Sequence, residues 1–160
     1  MIESAAQPAA EPLAAAASGE RQSYVQLFGP VQNDGSHVQA ASNIWQMAGA
    51  STSTSFKTFW FNRAWQRITW ASLRIEWIPM VRANSLRLIA ADDGISNIQV
   101  LAEIAGADHR NPLLSVVNVT VAFQQLARTG RQRHIGWQVR GDGRNQLRVY
   151  QIHLEILEAV

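Results

Sequence analysis

From Tyr24 onward, apolar side chains recur at every second position, a spacing that builds half-buried β-strands and leaves little room for helices. Leu86, Leu88 and Ala90 alternate with Arg87 and Ile89, and Asp92-Asp93-Gly94 supplies the turn that follows. Ile98, Val100, Ala102 and Ile104 alternate with Gln99, Leu101 and Glu103, which predicts another half-buried strand. Val117, Val119, Val121 and Phe123 share one parity, with Asn118 and Thr120 on the other; the β-branched residues disfavour a helix there. Ile135, Trp137 and Val139 lead into Asp142-Gly143, the strongest hairpin signal in the chain.

Two long strands change parity in mid-course. In Arg67 to Ile78 the apolar set moves from Ile68 and Trp70 to Leu73, Ile75 and Trp77, predicting a β-bulge near Ala71-Ser72 before Pro79 ends the strand. In Gln146 to Leu157 it moves from Leu147 and Val149 to Ile152, Leu154 and Ile156. Shorter candidates are Tyr24 to Phe28, closed by Gly29-Pro30, with Asn43 to Met47 and Phe56 to Phe61. About eight strands with turn signals between them predict an all-β fold, an antiparallel β-sandwich of jelly-roll-like form. An immunoglobulin-like sandwich ranks second, since no Cys…Trp…Cys spacing supports it. A parallel α/β fold would need crossover helices that the pattern lacks.

Residues 1–22 read as an extended low-complexity arm and 23–160 as the sandwich domain. The first 19 residues contain eight alanines and two prolines. Glu3, Gln7, Pro8, Glu11 and Pro12 deny the segment the basic and apolar regions of a signal peptide. Charge divides the same way: residues 1–20 carry −3 and the remainder +5. The basic residues are thirteen arginines and Lys57, interleaved with apolar positions rather than clustered, so direct nucleic-acid binding is not expected. No apolar run is long enough for a membrane helix.

The chemistry that enzymes need is missing from the pattern. With no cysteine, disulfides, thiolate metal sites and thiol nucleophiles are excluded. His37, His109, His134 and His153 stand at no metal-ligand spacing, and His153, facing away from Ile152 and Leu154, reads as an exposed sheet histidine. Asp92, Asp93, Asp108 and Asp142 fall in turns, while Glu76 and Glu103 fall in mid-strand, where Arg74, Arg87 and Arg140 could face them. No Gly-x-Ser-x-Gly elbow and no phosphate-cradling loop occurs. The expectation is therefore no enzyme, no catalytic residue, no cofactor and no metal. Arg140-Gly141-Asp142 spells an integrin-binding tripeptide, but a turn needing positive backbone angles accounts for Gly141, Asp142 and Gly143 without it.

Six tryptophans remain to be placed. Trp70, Trp77 and Trp137 keep step with aliphatic neighbours and read as core, each indole burying roughly 200 Å² for at most about 5 kcal/mol. In Phe56 to Phe61 aromatics occupy both parities, so Phe56, Phe59, Trp60, Phe61 and Trp65 predict a surface covered by another subunit, a partner or a ligand.

An Ala/Pro arm at 1–19 followed by a cysteine-free, jelly-roll-like strand series resembles the small cement (decoration) proteins of tailed-bacteriophage capsids. The resemblance spans the chain and is one of plan, not motif. It implies a structural virion protein on the outside of a phage head, assembled in the host cytoplasm, that clamps neighbouring major capsid proteins. It also implies a homo-oligomer, a dimer or trimer, with the major capsid protein as partner. A small gene product fits this plan better than the tip of a tail fibre. Pro8, Pro12, Leu13, Arg21 and Tyr24 would carry the arm's contacts. The alternative is a carbohydrate- or receptor-binding β-sandwich module of a phage tail or polysaccharide-active protein, with Trp60 and Trp65 as stacking platforms. An extracellular adhesion domain would need a secretion signal.

Overall fold

A computed structural model describes residues 20–38, 44–47, 56–60, 67–129 and 132–159. Pro8, Pro12, Leu13, Phe61 and Trp65 lie outside them. The described elements are β1 (Glu20–Phe28), β2 (Ser36–Val38), β3 (Gln46–Met47), β4 (Phe56–Trp60), β5 (Ile68–Ile78), β6 (Ser85–Asp92), β7 (Ser96–Ile104), β8 (Leu113–Asn118), α1 (Thr120–Thr129), β9 (Gln132–Arg140) and β10 (Leu147–Ala159).

Two antiparallel sheets result. Sheet A runs β1-β10-β5-β8, with β2 also on β10; sheet B runs β3-β9-β6-β7, with β4 also on β9. Because β1 and β2 share one strand position, and β3 and β4 another, the ten strands occupy eight positions. Their order is first-eighth-third-sixth in one sheet and second-seventh-fourth-fifth in the other, a jelly roll. The immunoglobulin-like alternative is thereby set aside.

The inner faces meet in one core. Leu73, Ile75 and Trp77 of β5 stand level with Leu154, Ile152 and Val149 of β10, while Leu86, Leu88 and Ala90 of β6 stand level with Val139, Trp137 and Ile135 of β9. All are buried. Trp77 satisfies its Nε1–H on Ser115 Oγ at 2.9 Å. At one end Asn84, fully buried, donates from Nδ2 to the carbonyls of Pro79 and Asn145, both at 2.8 Å. Gly106 has to lack a side chain because a Cβ there would strike the carbonyl oxygens of Asn84 and Val81.

Several sequence-based expectations need correction. The strand at Val117–Phe123 stops at Asn118, and a helix follows. Asn118 Oδ1 accepts from the Thr120 N–H at 2.9 Å, and the Ala71 N–H donates to Thr120 Oγ1 at 2.9 Å. Phe123, Leu126 and Ala127, at i, i+3 and i+4, then bury against the core. That burial outweighs the few tenths of a kcal/mol by which valine disfavours a helix.

Asp142-Gly143 is not a hairpin: β9 lies in sheet B and β10 in sheet A, so this turn carries the chain across the sandwich. Of Gly141, Asp142 and Gly143, only Gly143 has a positive φ, 78°. The β5 bulge falls at Thr69, between the Trp70↔Leu157 and Ile68↔Glu158 pairs, not at Ala71-Ser72. The shift leaves Trp70 half-buried on the outer face rather than in the core. The parity change on β10 does coincide with a register shift, at Tyr150. His153 points away from the core, yet it is half-buried rather than exposed. On β7, Ile98 and Val100 are each 44% exposed; a register shift at Leu101 accompanies the change of parity.

Candidate functional site

The outer face of sheet B gathers polar groups at both ends of an apolar stretch. Its register sets Gln138, Arg87 and Glu103 in one row, Gly136, Ile89 and Val100 in the next, and Thr58, His134 and Ala91 beyond them. Ile89 and Ala91 are buried although they face away from the core, and Val100 and Ile98 continue the apolar surface to the open edge.

At the first end, the guanidinium carbons of Arg87 and Arg140 each lie 4.6 Å from the ring centroid of Trp45. Arg87 Nε donates to Gln138 Oε1 at 2.8 Å, and Arg140 Nη2 pairs with Glu103 Oε1 at 3.5 Å. Burial depresses the Arg87 guanidinium below the usual arginine range; Glu103 opposes that shift and Arg140 adds to it. Arg140 is thus committed to this face. Asp142, the other charged residue of the tripeptide, accepts from the Arg144 and Asn145 N–H groups at 2.8 and 3.0 Å. Those bonds hold its carboxyl at about 2.

At the second end, His134 bridges β4 and the β6–β7 turn. Its Nδ1 lies 3.1 Å from Thr58 Oγ1, and its Nε2 lies 2.6 Å from Asp93 Oδ1. An imidazole between a hydroxyl and a carboxylate has the connectivity by which hydroxyl nucleophiles are activated. Here the hydroxyl sits on Nδ1 rather than Nε2, and the Asp93 side chain is 92% exposed, where water competes for the bond. Asp92, Asp93, Ser96 and Gln132 line a shallow polar cleft of about 410 Å³ beside it. Asp92 pairs with Arg133, whose Nε lies 3.1 Å from Asp92 Oδ1. Among the described residues, no group of three or more His, Asp or Glu side chains is placed to hold a metal ion. Nor is any described helix long and apolar enough to cross a membrane.

The outer face of sheet A is built differently. Arg74 pairs with Glu155, both nearly buried, and His153 Nε2 lies 3.7 Å from Glu155 Oε2. The Tyr24 ring stands 6.4 Å from that of His153.

Of the residues expected to meet partners, Arg21 and Tyr24 lie in β1, which begins at Glu20 and therefore makes residues 20–22 part of the sheet. Arg21 pairs with Glu158 at 3.0 Å, while Tyr24 is largely exposed. Phe56, Phe59 and Trp60 lie on β4 in register with Gly136, Arg133 and Gln132, which brings that strand alongside the site. Glu103 faces Arg87 and Arg140, as the strand pattern suggested. Neither the Trp45 cluster nor the Thr58–His134–Asp93 chain was visible in the sequence, because each joins residues from three separate segments.

The molecule is a two-sheet jelly-roll sandwich whose most built surface is the outer face of sheet B. No family model and no curated protein matches the chain. Solved structures of similar shape include the xylan-binding module CBM15, at 8% identity and a TM-score of 0.49, covering 88% of this chain and all of that one. Xylanase10C from Cellvibrio japonicus in complex with xylopentaose follows at 11% identity and 0.45, covering 85% of this chain but 26% of the xylanase. The Tobacco streak virus coat protein dimer gives 11% and 0.37, covering 87% of this chain and 86% of that one. At such identities and scores these likenesses assign neither ligand nor partner.

Proposed function

We propose that the chain is a structural virion protein, a cement protein that binds the outside of a phage head as a homo-oligomer and clamps neighbouring major capsid proteins. The observation that carries this reading is the anatomy of the outer face of sheet B. Its polar groups are already paired with one another at both ends, and the apolar side chains between and beside them reach solvent at Ile98 and Val100. Exposed apolar side chains at Ile98 and Val100, beside polar groups already engaged with one another, suit a protein partner better than a small ligand needing open hydrogen-bonding groups. Trp77 and Trp137 are buried in the core and so offer no ring to a sugar, and Trp45 is flanked by guanidinium groups. On this reading the arm at 1–19 reaches a neighbouring subunit of the lattice and adds contact area by avidity.

The test mixes purified chain with undecorated heads of the phage that encodes it. Saturable attachment that raises the heads' resistance to heat is expected. Ile98→Asp with Val100→Asp should weaken it at least tenfold, and removal of residues 1–19 should weaken it without changing the body's thermal unfolding. No attachment, together with saturable binding on a glycan array that Trp60→Ala or Trp65→Ala abolishes, would establish the carbohydrate-binding alternative instead.

A further inference from the structure

The pairing of polar groups at the Trp45 end of sheet B still leaves a net positive charge among the described residues, because the partner of Arg87 is the neutral Gln138. Two guanidinium groups, Arg87 and Arg140, lie over one indole, with one carboxylate, Glu103, beside them. Exposed Val100 follows in the next row. One segment of the same chain is complementary to such a surface. Residues 1–19 contain Glu3 and Glu11, no lysine or arginine, eight alanines and two prolines. Carboxylates such as Glu3 and Glu11 make charge-assisted bonds to arginine, and small alanine side chains allow close approach to a flat surface.

Geometry favours a neighbouring copy over the chain's own body. Glu20 pairs with Ala159 at one end of sheet A, near Ile68. Arg140 pairs with Ser85, which follows Ile78 by way of one short loop at the other end. The eleven residues of β5 between those ends span roughly 35 Å. To reach its own Trp45, the arm would have to run back along the whole body and around to the other sheet. Reaching a neighbour needs no reversal, and the greatest span open to nineteen residues is roughly 60 Å.

We infer that residues 1–19 of one copy dock on the Trp45–Arg87–Arg140 face of a second copy, with Glu3 or Glu11 meeting the arginines. This rests on the homo-oligomeric part of the function proposed above and names the contact that holds the oligomer together.

Sedimentation equilibrium of the full chain, at low and high salt, tests it without any capsid. The full chain should self-associate, less strongly at high salt. Glu3→Lys with Glu11→Lys should weaken association about tenfold or more, Arg140→Glu should do the same, and the three changes combined should restore it. Circular dichroism of the Arg140→Glu protein checks that its body is folded, and the arm variant serves as the test if it is not. Self-association indifferent to the arm charges overturns the docking and leaves an oligomer formed elsewhere. A monomeric full chain overturns it too. So does a monomer whose tryptophan near-ultraviolet dichroism responds to the arm charges, which would place the arm on its own body. Capsid attachment is read separately, so either proposal can fail alone.

Discussion

Phe28 of sheet A meets Trp137 of sheet B edge-on, with ring centroids 5.3 Å apart and planes at 71°. This contact joins the first strand of the fold to the ninth and lies across the seam that defines the sandwich. Edge-to-face geometry sets the positive rim of one ring against the negative face of the other, adding to the area both remove from water.

Trp137→Ala is accordingly expected to lower unfolding stability by about 3–5 kcal/mol, the cost of deleting a buried aromatic and leaving a cavity. Urea denaturation followed by far-ultraviolet dichroism measures it. A loss below about 1 kcal/mol would mean that the two sheets do not pack as described.

Asn84 ties two loops together from a fully buried position. Asn84→Ala leaves the carbonyls of Pro79 and Asn145 without that donor and should cost about 1–3 kcal/mol. Thermal unfolding of the variant reads the change. Retention of full stability would show that other groups satisfy both carbonyls.

His153 sits beside Glu155, Arg74 and Tyr24. Desolvation lowers its pKa; Glu155 opposes that and Arg74 reinforces it. The folded chain therefore binds this proton less readily than the unfolded chain. Stability is full well above the unfolded value near 6.5 and falls as pH drops from there toward the folded pKa. His153→Gln should flatten that part of the stability profile in denaturant titrations between pH 7 and 5. An unchanged slope would locate the proton uptake elsewhere.

Asp142 acts in a separate window. Its carboxyl is lowered from 3.8 to about 2, chiefly by the N–H groups of Asn145 and Arg144. Its contribution is present above the unfolded value and lost as pH falls from about 4 to about 2. Asp142→Asn should remove that portion of the acid transition and leave the profile above pH 5 unaltered. Identical acid limbs for the two proteins would contradict the turn geometry.

Much of the fold could be read directly. The strands at 68–78, 85–92, 96–104, 132–140 and 147–159 follow from two-residue periodicity, which is a local property of the chain. The destination of a turn is not local. Asp142-Gly143 has the chemistry of a hairpin, but similar turn residues can lead back to the same sheet or across to the other. The choice here fell to the core, which Trp137 and Val149 enter from opposite layers. Trp70 was misplaced for a related reason: one extra residue at Thr69 reverses which face each neighbour occupies.

By itself, then, the sequence determined an all-β sandwich of jelly-roll form, because alternation, turn residues and lack of helical period all act over a few residues. Tertiary structure decided which strands became neighbours, and with them every cluster of functional interest. Trp45, Arg87 and Arg140 come from the segment before β3, from β6 and from β9 respectively, and only the ordering of sheet B brings them together. Likewise Thr58, His134 and Asp93 meet because β4 pairs with β9 beside the β6–β7 turn. Contacts of that kind depend on burying two sheet faces at once, a cooperative requirement that no short stretch of residues carries.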